Sequence, residues 1–216
     1  MRKQSTAFYG GEGDKWYQRN RNKVPYPLGD DPVTGVIANL NIKPKKVLEI
    51  GCSNGWRLEK IRNLYSGFKP EVVCYGVDPS LAAITEGQKS FPKLILLRRD
   101  AANLPHRQWG GFDIIIHGFC LYLCDREDLF KIAYESDHFL KDGGYLIIHD
   151  FFPKTPCSVV YHHKPSLRSY KMDHSQLFLA NPTYKEVARY VPEDNDEIGI
   201  VVLKKDLASA FPLVEQ

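Results

Sequence analysis

The run VLEIGCSNG at positions 47–55 carries the first chemical signal: Glu49 near the end of an apolar stretch, then Gly51 and Gly55. Glycines that follow a buried strand let the backbone approach a ligand closely, and the start of the next helix offers unpaired N–H groups with positive dipole character. Several ligands suit that arrangement, so spacing has to discriminate among them. A dinucleotide loop needs glycine at its first, third and sixth positions. Counted from Gly51 the third and sixth are Ser53 and Trp56, and from Gly55 they are Arg57 and Lys60, so both frames fail. A P-loop, glycine followed after four residues by Gly-Lys-Ser/Thr, does not fit either. What fits is an acid two residues before a glycine. At low local dielectric such a carboxylate repels a pyrophosphate and attracts a ligand with a positive end.

A loop of this kind works only at the edge of a sheet, and the surrounding pattern supplies one. Apolar strand-like runs alternate with helical periodicity, the mark of βαβ units feeding a parallel sheet. The expected strands are 46–50, 71–78, 93–100, 112–118 and 145–151, with helices over WRLEKIRNLYS (56–66), 80–90 and 126–140 between them. A further helix is expected in DPVTGVIANLNI, with Pro32 in its first turn. TYKEVARYV and EIGIVVLKK, separated by PEDND, read as an antiparallel hairpin at the sheet edge. Residues 152–172 hold prolines, histidines and aromatics without periodicity and read as a loop over the end of the sheet, followed by a short helix that Asp173 caps. Residues 1–32 contain Phe8, Tyr9, Trp16, Tyr17 and Tyr26, too many aromatics for a disordered tail, so they should fold back on the body.

Composition narrows the function classes. The 216 residues are 43% hydrophobic and 25% charged with net charge +3, and no Lys/Arg block marks a nucleic-acid or lipid surface. Neither a signal peptide nor an apolar run near the roughly 20 residues of a membrane span is visible, so no membrane and a cytoplasmic location are expected. The five cysteines are odd in number and sit mostly in apolar surroundings, which implies free thiols.

A phosphate-free ligand with a positive end is S-adenosylmethionine, which carries a sulfonium and an ammonium. The chain here resembles the class I S-adenosylmethionine-dependent methyltransferases, in motifs that run in order from 47 to 151, about half of its length. VLEIGCSNG is similar to the family's acid-x-Gly-x-Gly-x-Gly motif, with Ser53 in place of the middle glycine. YGVDPS, RRDAANLP, FDIIIHGFCLYLCDREDL and LKDGGYLIIHDF resemble the segments that follow. The resemblance implies an α/β, Rossmann-like fold in a single domain over 1–216, with a mostly parallel seven-stranded sheet, an antiparallel C-terminal hairpin and helices on both faces. Its parts would be an N-terminal cap (1–32), a cofactor-binding core (33–151), a substrate-side loop and short helix (152–181) and the hairpin (182–205). It also implies S-adenosyl-L-methionine as cofactor, held by Glu49, Gly51, Cys52, Ser53, Gly55, Asp78, Pro79, Asp100, Ala101, His117 and Gly118, with Asp78 on the ribose and Asp100 and Ala101 bordering the adenine. FYGGEGDKWYQRN is similar to leading segments of bacterial small-molecule methyltransferases, which adds Tyr17 and Arg19 at the methionine end.

Methyl transfer from a sulfonium needs alignment, water exclusion and a base where the acceptor carries a proton. Ligands of open α/β sheets bind beyond the carboxyl ends of the strands. His117 ends the central strand there and is the first candidate base, followed by His163 and His162. His149 is expected to point into the sheet packing, because Asp150 follows with the opposite direction. Tyr122, Asp150, Tyr161 and Arg168 are the expected substrate contacts, and no metal site is expected. The absence of a basic stripe and of an NPPY-like tetrapeptide disfavours nucleic-acid substrates. The expected activity is transfer to O or N of a small polar acceptor, a sugar or nucleotide-linked sugar, by a monomer or homodimer. The rival readings are a nicotinamide-dependent oxidoreductase and a non-catalytic cofactor-binding subunit.

Overall fold

The computed structural model describes residues 3–23, 31–105, 109–191 and 198–213. Nine strands are present among them: β1 (Lys46–Ile50), β2 (Val73–Asp78), β3 (Ile95–Arg98), β4 (Phe112–Gly118), β5 (Leu140–Phe151), β6 (Cys157–Val160), β7 (Arg168–Lys171), β8 (Tyr184–Tyr190) and β9 (Ile198–Lys205). Seven of them form one sheet in the order β3-β2-β1-β4-β5-β9-β8. The pairs among β1 to β5 are parallel, and β9 runs antiparallel to both β5 and β8. The near-continuous apolar runs of β1 and β4 follow from this position, since central parallel strands are covered on both faces.

Strand alternation sorts those runs onto two cores. Val47, Ile114, Ile116 and Ile147 face Val33 and Ile37 of α3 (Pro32–Asn39), Leu58 and Ile61 of α4 (Trp56–Leu64) and Ile84 of α5 (Leu81–Ser90). Leu48, Ile50, Ile115, Leu146 and Ile148 face Ile132 and Phe139 of α6 (Leu129–Phe139) and Phe178 of α7 (Gln176–Leu179). Each fully buried aliphatic side chain here contributes about 1.5–3 kcal/mol of transfer free energy. Helix starts are set locally: Asp31 accepts from Thr34 N–H at 2.9 Å before Pro32, and the Ser80 hydroxyl accepts from Ala83 N–H at 3.0 Å.

Two segments depart from the expected elements. Residues 157–160 and 168–171, expected as loop, pair antiparallel as a separate two-stranded ribbon. Four-residue strands between prolines are too short to show a period, and their order comes from Tyr161 and Leu167, which pack with Tyr122, Leu123, Phe8 and Trp16. The N-terminal segment folds back as expected, and it is helical: α1 (Lys3–Ala7) runs through one wider turn (Phe8–Glu12) into α2 (Gly13–Asn20). Gly11 takes φ +114° inside that turn, a conformation that side-chain-bearing residues rarely adopt.

This segment lies across the carboxyl ends of the strands. Asp125 accepts from the N–H groups of Gln4 (3.0 Å) and Ser5 (2.9 Å), Asp14 accepts from the Ser80 hydroxyl (2.6 Å) and Ala82 N–H (2.9 Å), and Arg98 donates to the Tyr9 carbonyl (2.6 Å). No helix among the described residues is long and apolar enough to cross a membrane.

Candidate active site

Under the N-terminal helices, at the carboxyl ends of β1, β2 and β4, lies a cleft of about 810 Å³ counted with its open mouth. Gly51 and Gly118 form part of its lining, with Ile50, Val77, Ala101, Ala102 and Ile132 as apolar walls and Phe8, Trp16 and Phe119 above. Among the described residues its charged lining is four carboxylates, Asp78, Asp100, Asp125 and Asp128, against one cation, Arg99. Such a cleft suits an apolar ring system and a positive charge and opposes a pyrophosphate.

The loop after β1 explains how the backbone reaches this cleft. Gly51 has φ +78°, and a Cβ there would stand 2.6 Å from Cβ of Cys120. Ser53 takes φ +53°, so the residue that replaces the family's middle glycine still turns as a left-handed position. Its N–H donates to Asp78 at 2.9 Å, and Ser80 N–H donates to the other carboxylate oxygen at 2.9 Å. Both bonds orient Asp78 at the tip of β2, while burial pushes its carboxyl up to about 6. Gly51→Ala should therefore cost about 1–2 kcal/mol of stability from the left-handed backbone alone. Thermal unfolding measures that loss, and an unchanged melting temperature would contradict the strained-loop account.

Glu49 sits one layer below, 1% exposed, in ion-pair contact with Arg57, whose Nε donates to both oxygens of Asp31 at 3.0 and 3.1 Å. Burial pushes Glu49 up to about 7 against the opposing pull of Arg57. Its second oxygen is buried without a hydrogen-bond partner among the described residues. A buried carboxylate oxygen left open beside a ligand cleft fits an incoming ammonium.

Residues 47–144 match the family model described as a methyltransferase domain. Solved structures share the architecture across most of the chain. The 1,6-didemethyltoxoflavin-N1-methyltransferase of Burkholderia thailandensis, crystallised with 1,6-didemethyltoxoflavin and S-adenosylhomocysteine, superposes with TM-score 0.70 at 15% identity, over 93% of this chain and 88% of that one. The chain has the fold of the class I S-adenosylmethionine-dependent methyltransferases. A methyltransferase from Clostridium acetobutylicum gives TM-score 0.62 at 16% identity over 92% of this chain and 99% of that one. The O-methyltransferase of a Brevibacillus brevis trans-AT polyketide synthase gives 0.58 at 12% identity over 76% and 67%. No curated protein matches the chain in sequence.

Within this methyltransferase fold, Gly51, Asp78, Pro79, Asp100, Ala101 and Gly118 come together on the cleft lining. Gly55 supplies the left-handed turn that starts α4, and Cys52 packs beneath the loop, 1% exposed, with Cβ and Sγ against Gly76. His117 does not face the cleft. Its position on β4 puts it on the face of Ile115, under α6, where it is fully buried and its Nε2 lies 3.0 Å from the Ser136 hydroxyl. Burial, reinforced by His174, pushes it down to about 3. His162 and His163 are exposed on the turn between β6 and β7 and line no part of the cleft.

Arg19 is engaged elsewhere, donating to Glu12 at 2.7 Å and to the Tyr161 hydroxyl at 3.0 Å, and so fastens α2 to that turn. Tyr17 accepts from Asn54 at 3.3 Å beside a second cavity between α2 and α5. Tyr122 belongs to an aromatic wall with Phe119 (4.8 Å) and Phe151 (5.0 Å). Arg168 meets the cap through its backbone, whose N–H donates to Gln4 at 2.9 Å. Asp150 is fully buried and accepts from the N–H groups of Leu121 (2.9 Å) and Phe151 (2.8 Å), so it fixes the turn after β4 rather than facing a substrate. The imidazole on the Glu49 side is His149, expected in the packing: it is half-buried, level with Gly118 on the neighbouring strand, and 5.7 Å from the Phe119 ring. Burial, followed by Arg57, pushes it down to about 4, so it is neutral at pH 7. Sequence reasoning missed His149, Arg57 and Asp31, although the parity of β5 against β4 was the available signal for the first.

Proposed function

We propose that this protein binds S-adenosylmethionine in the cleft under its N-terminal helices and transfers the methyl group to O or N of a small polar acceptor, a sugar or nucleotide-linked sugar. The observation that carries the reading is the charge of the cleft: among the described residues four carboxylates stand against one arginine, with Asp78 held by two N–H groups at the tip of β2 and apolar walls beside it. When bound, the cofactor supplies a methyl group on a sulfonium, with a neutral thioether as leaving group. The chain's own part is placement and exclusion of water. Asp78 accepts from ribose hydroxyls, Gly51 and Gly118 admit the ligand close to the backbone, and Phe8 and Trp16 cover it. Phe119 lines the cleft and is backed by Tyr122 and Phe151, so a flat apolar surface suited to a sugar ring borders it. A structural neighbour crystallised with the small molecule 1,6-didemethyltoxoflavin supports an acceptor of modest size.

Calorimetry tests the cofactor half. S-adenosylhomocysteine is expected to bind at micromolar or tighter concentration and NAD not to bind; the reverse outcome would make the protein a nicotinamide enzyme. Transfer of labelled methyl to pooled nucleotide sugars tests the acceptor half, and label found only in RNA or protein would overturn it.

A further inference from the structure

Two cysteines line the cleft side by side. Cys120 and Cys124 flank the single helical turn Leu121–Leu123 that follows β4, and both are half-buried. The turn between them is firmly held: Leu123 N–H donates to the Cys120 carbonyl at 3.1 Å, Cys124 N–H to the Leu121 carbonyl at 3.0 Å, and Leu121 N–H to Asp150 at 2.9 Å. One turn apart, the two side chains project to the same side, and the thiols hydrogen-bond to each other. Each sulfur also donates to a backbone carbonyl, Cys124 to that of Cys120 at 3.4 Å and Cys120 to that of Ile50, the last residue of β1, at 3.3 Å. The Cys120 side chain rests on the glycine loop, since a Cβ on Gly51 would stand 2.6 Å from its Cβ and 2.9 Å from its Sγ. Of the remaining thiols, Cys52 and Cys74 are buried and Cys157 is exposed.

We propose that Cys120 and Cys124 are a modification site: a small disulfide of the glutathione class oxidises them to an intramolecular disulfide, and that bond weakens cofactor binding in the cleft. The effect on the cofactor rests on the S-adenosylmethionine reading above. The chemistry is two successive exchanges. Cys124 loses its proton to the buffer and its sulfur attacks one sulfur of the small disulfide, whose S–S bond breaks and whose other half leaves as a thiol. Cys120 then loses its proton and attacks Cys124 Sγ, which expels the second half. Two protein S–H bonds and one small-molecule S–S bond become one protein S–S bond and two small thiols, so two electrons pass from the protein to the small disulfide. Cys120 acts second because its hydrogen bond with Cys124, followed by burial, holds it protonated well above the ordinary thiol range, and a protonated thiol is a poor nucleophile. Attack through Cys124 removes that hydrogen bond and with it the larger restraint. Closing the bond brings the sulfurs to about 2 Å, so the Cys120 sulfur leaves the Ile50 carbonyl and the face of Gly51. The loop after β1 thereby loses the side chain that supports it where it lines the cleft.

Mass spectrometry and calorimetry of the full chain carrying Cys157→Ser, which removes the exposed thiol, test both halves. After hours in excess glutathione disulfide the chain should lose about 2 Da, the mass of two hydrogens. Peptide mapping should place the new bond between Cys120 and Cys124, dithiothreitol should reverse it, and Cys124→Ser should show no such loss. The oxidised chain should bind S-adenosylhomocysteine roughly fivefold more weakly than the reduced chain, or weaker still. Coupling of this kind is reciprocal, so saturating S-adenosylhomocysteine should shift the glutathione ratio at half-oxidation by the same factor toward oxidising conditions. A chain that stops at a glutathione adduct, or a disulfide that leaves the affinity unchanged, would overturn the proposal. Reduced protein that binds no S-adenosylhomocysteine would instead remove the S-adenosylmethionine reading and the cofactor effect with it, while the mass change still decides whether the pair forms its bond.

Discussion

Replacing Arg57 with methionine is expected to lower the stability of the protein by about 3–5 kcal/mol at pH 7, the usual cost of removing one partner from a buried ion pair. The loss comes from what remains: two carboxylates, Glu49 and Asp31, at 1% and 2% side-chain exposure with no cation between them. Methionine fills a similar volume, so packing contributes little to the difference. The pH dependence identifies the cause. Glu49 already titrates near 7 in the fold, above its ordinary 4.5, and loses its largest downward pull when Arg57 goes. A carboxyl with a raised folded-state value binds more protons folded than unfolded, so stability falls as pH rises toward that value. The variant's deficit should therefore be larger at pH 8 than at pH 6. Urea unfolding at both values measures it, and adding Glu49→Gln should recover part of the deficit at pH 8. A deficit independent of pH would place the damage in packing.

The outline of this site was legible because it depends on local signals. The apolar runs of β1 and β4, the acid at the tip of β2 and the glycines after β1 each follow from neighbours in sequence, and they led to Asp78, Pro79, Asp100, Ala101 and Gly118 on one cleft. The paired runs at the C-terminus likewise became the β8–β9 hairpin. What stayed hidden depends on partners far apart in the chain. Arg57 lies in WRLEKIRN, where charges alternate with apolar residues as on any solvent-facing helix, and nothing nearby announces Asp31 as its partner. Arg19 meets Tyr161, 142 positions away, a contact that nothing in its own segment announces. The histidines turned on parity. His117 was expected at the cleft and lies instead on the face under α6, because alternation near a strand end is fixed by how the strand enters the core and not by the residue's chemistry, while His149 lies in the packing as expected, on the Glu49 side.

His174→Leu is expected to stabilise the protein by about 1–3 kcal/mol at neutral pH, because the wild-type imidazole is fully buried and neither ring nitrogen makes a well-formed hydrogen bond among the described residues, the nearest acceptor being the Met172 backbone. The position lies just before α7, with His117 and Phe178 on the same side of the sheet, in surroundings that accept an aliphatic side chain. Acid should widen the gap. Burial pushes His174 down from its ordinary 6.5 to about 4 despite upward pulls from Asp173 and the Met172 backbone. The folded protein therefore keeps this ring neutral where the unfolded chain protonates it, and stability is lost as pH falls from 6.5 toward 4. Over that interval the linkage amounts to about 3 kcal/mol. Glu49, Asp78 and Asp150, all raised in the fold, titrate in the opposite sense through the same range, so the wild-type profile alone would conceal the effect. The comparison of variant with wild type removes their shared contribution. Urea unfolding at pH 7, 5.5 and 4.5 should show the advantage of His174→Leu growing at each step, with His117, relieved of a neighbouring charge, adding a smaller share. An advantage that stayed constant across the three values would mean that the His174 ring finds a proton acceptor in the folded state.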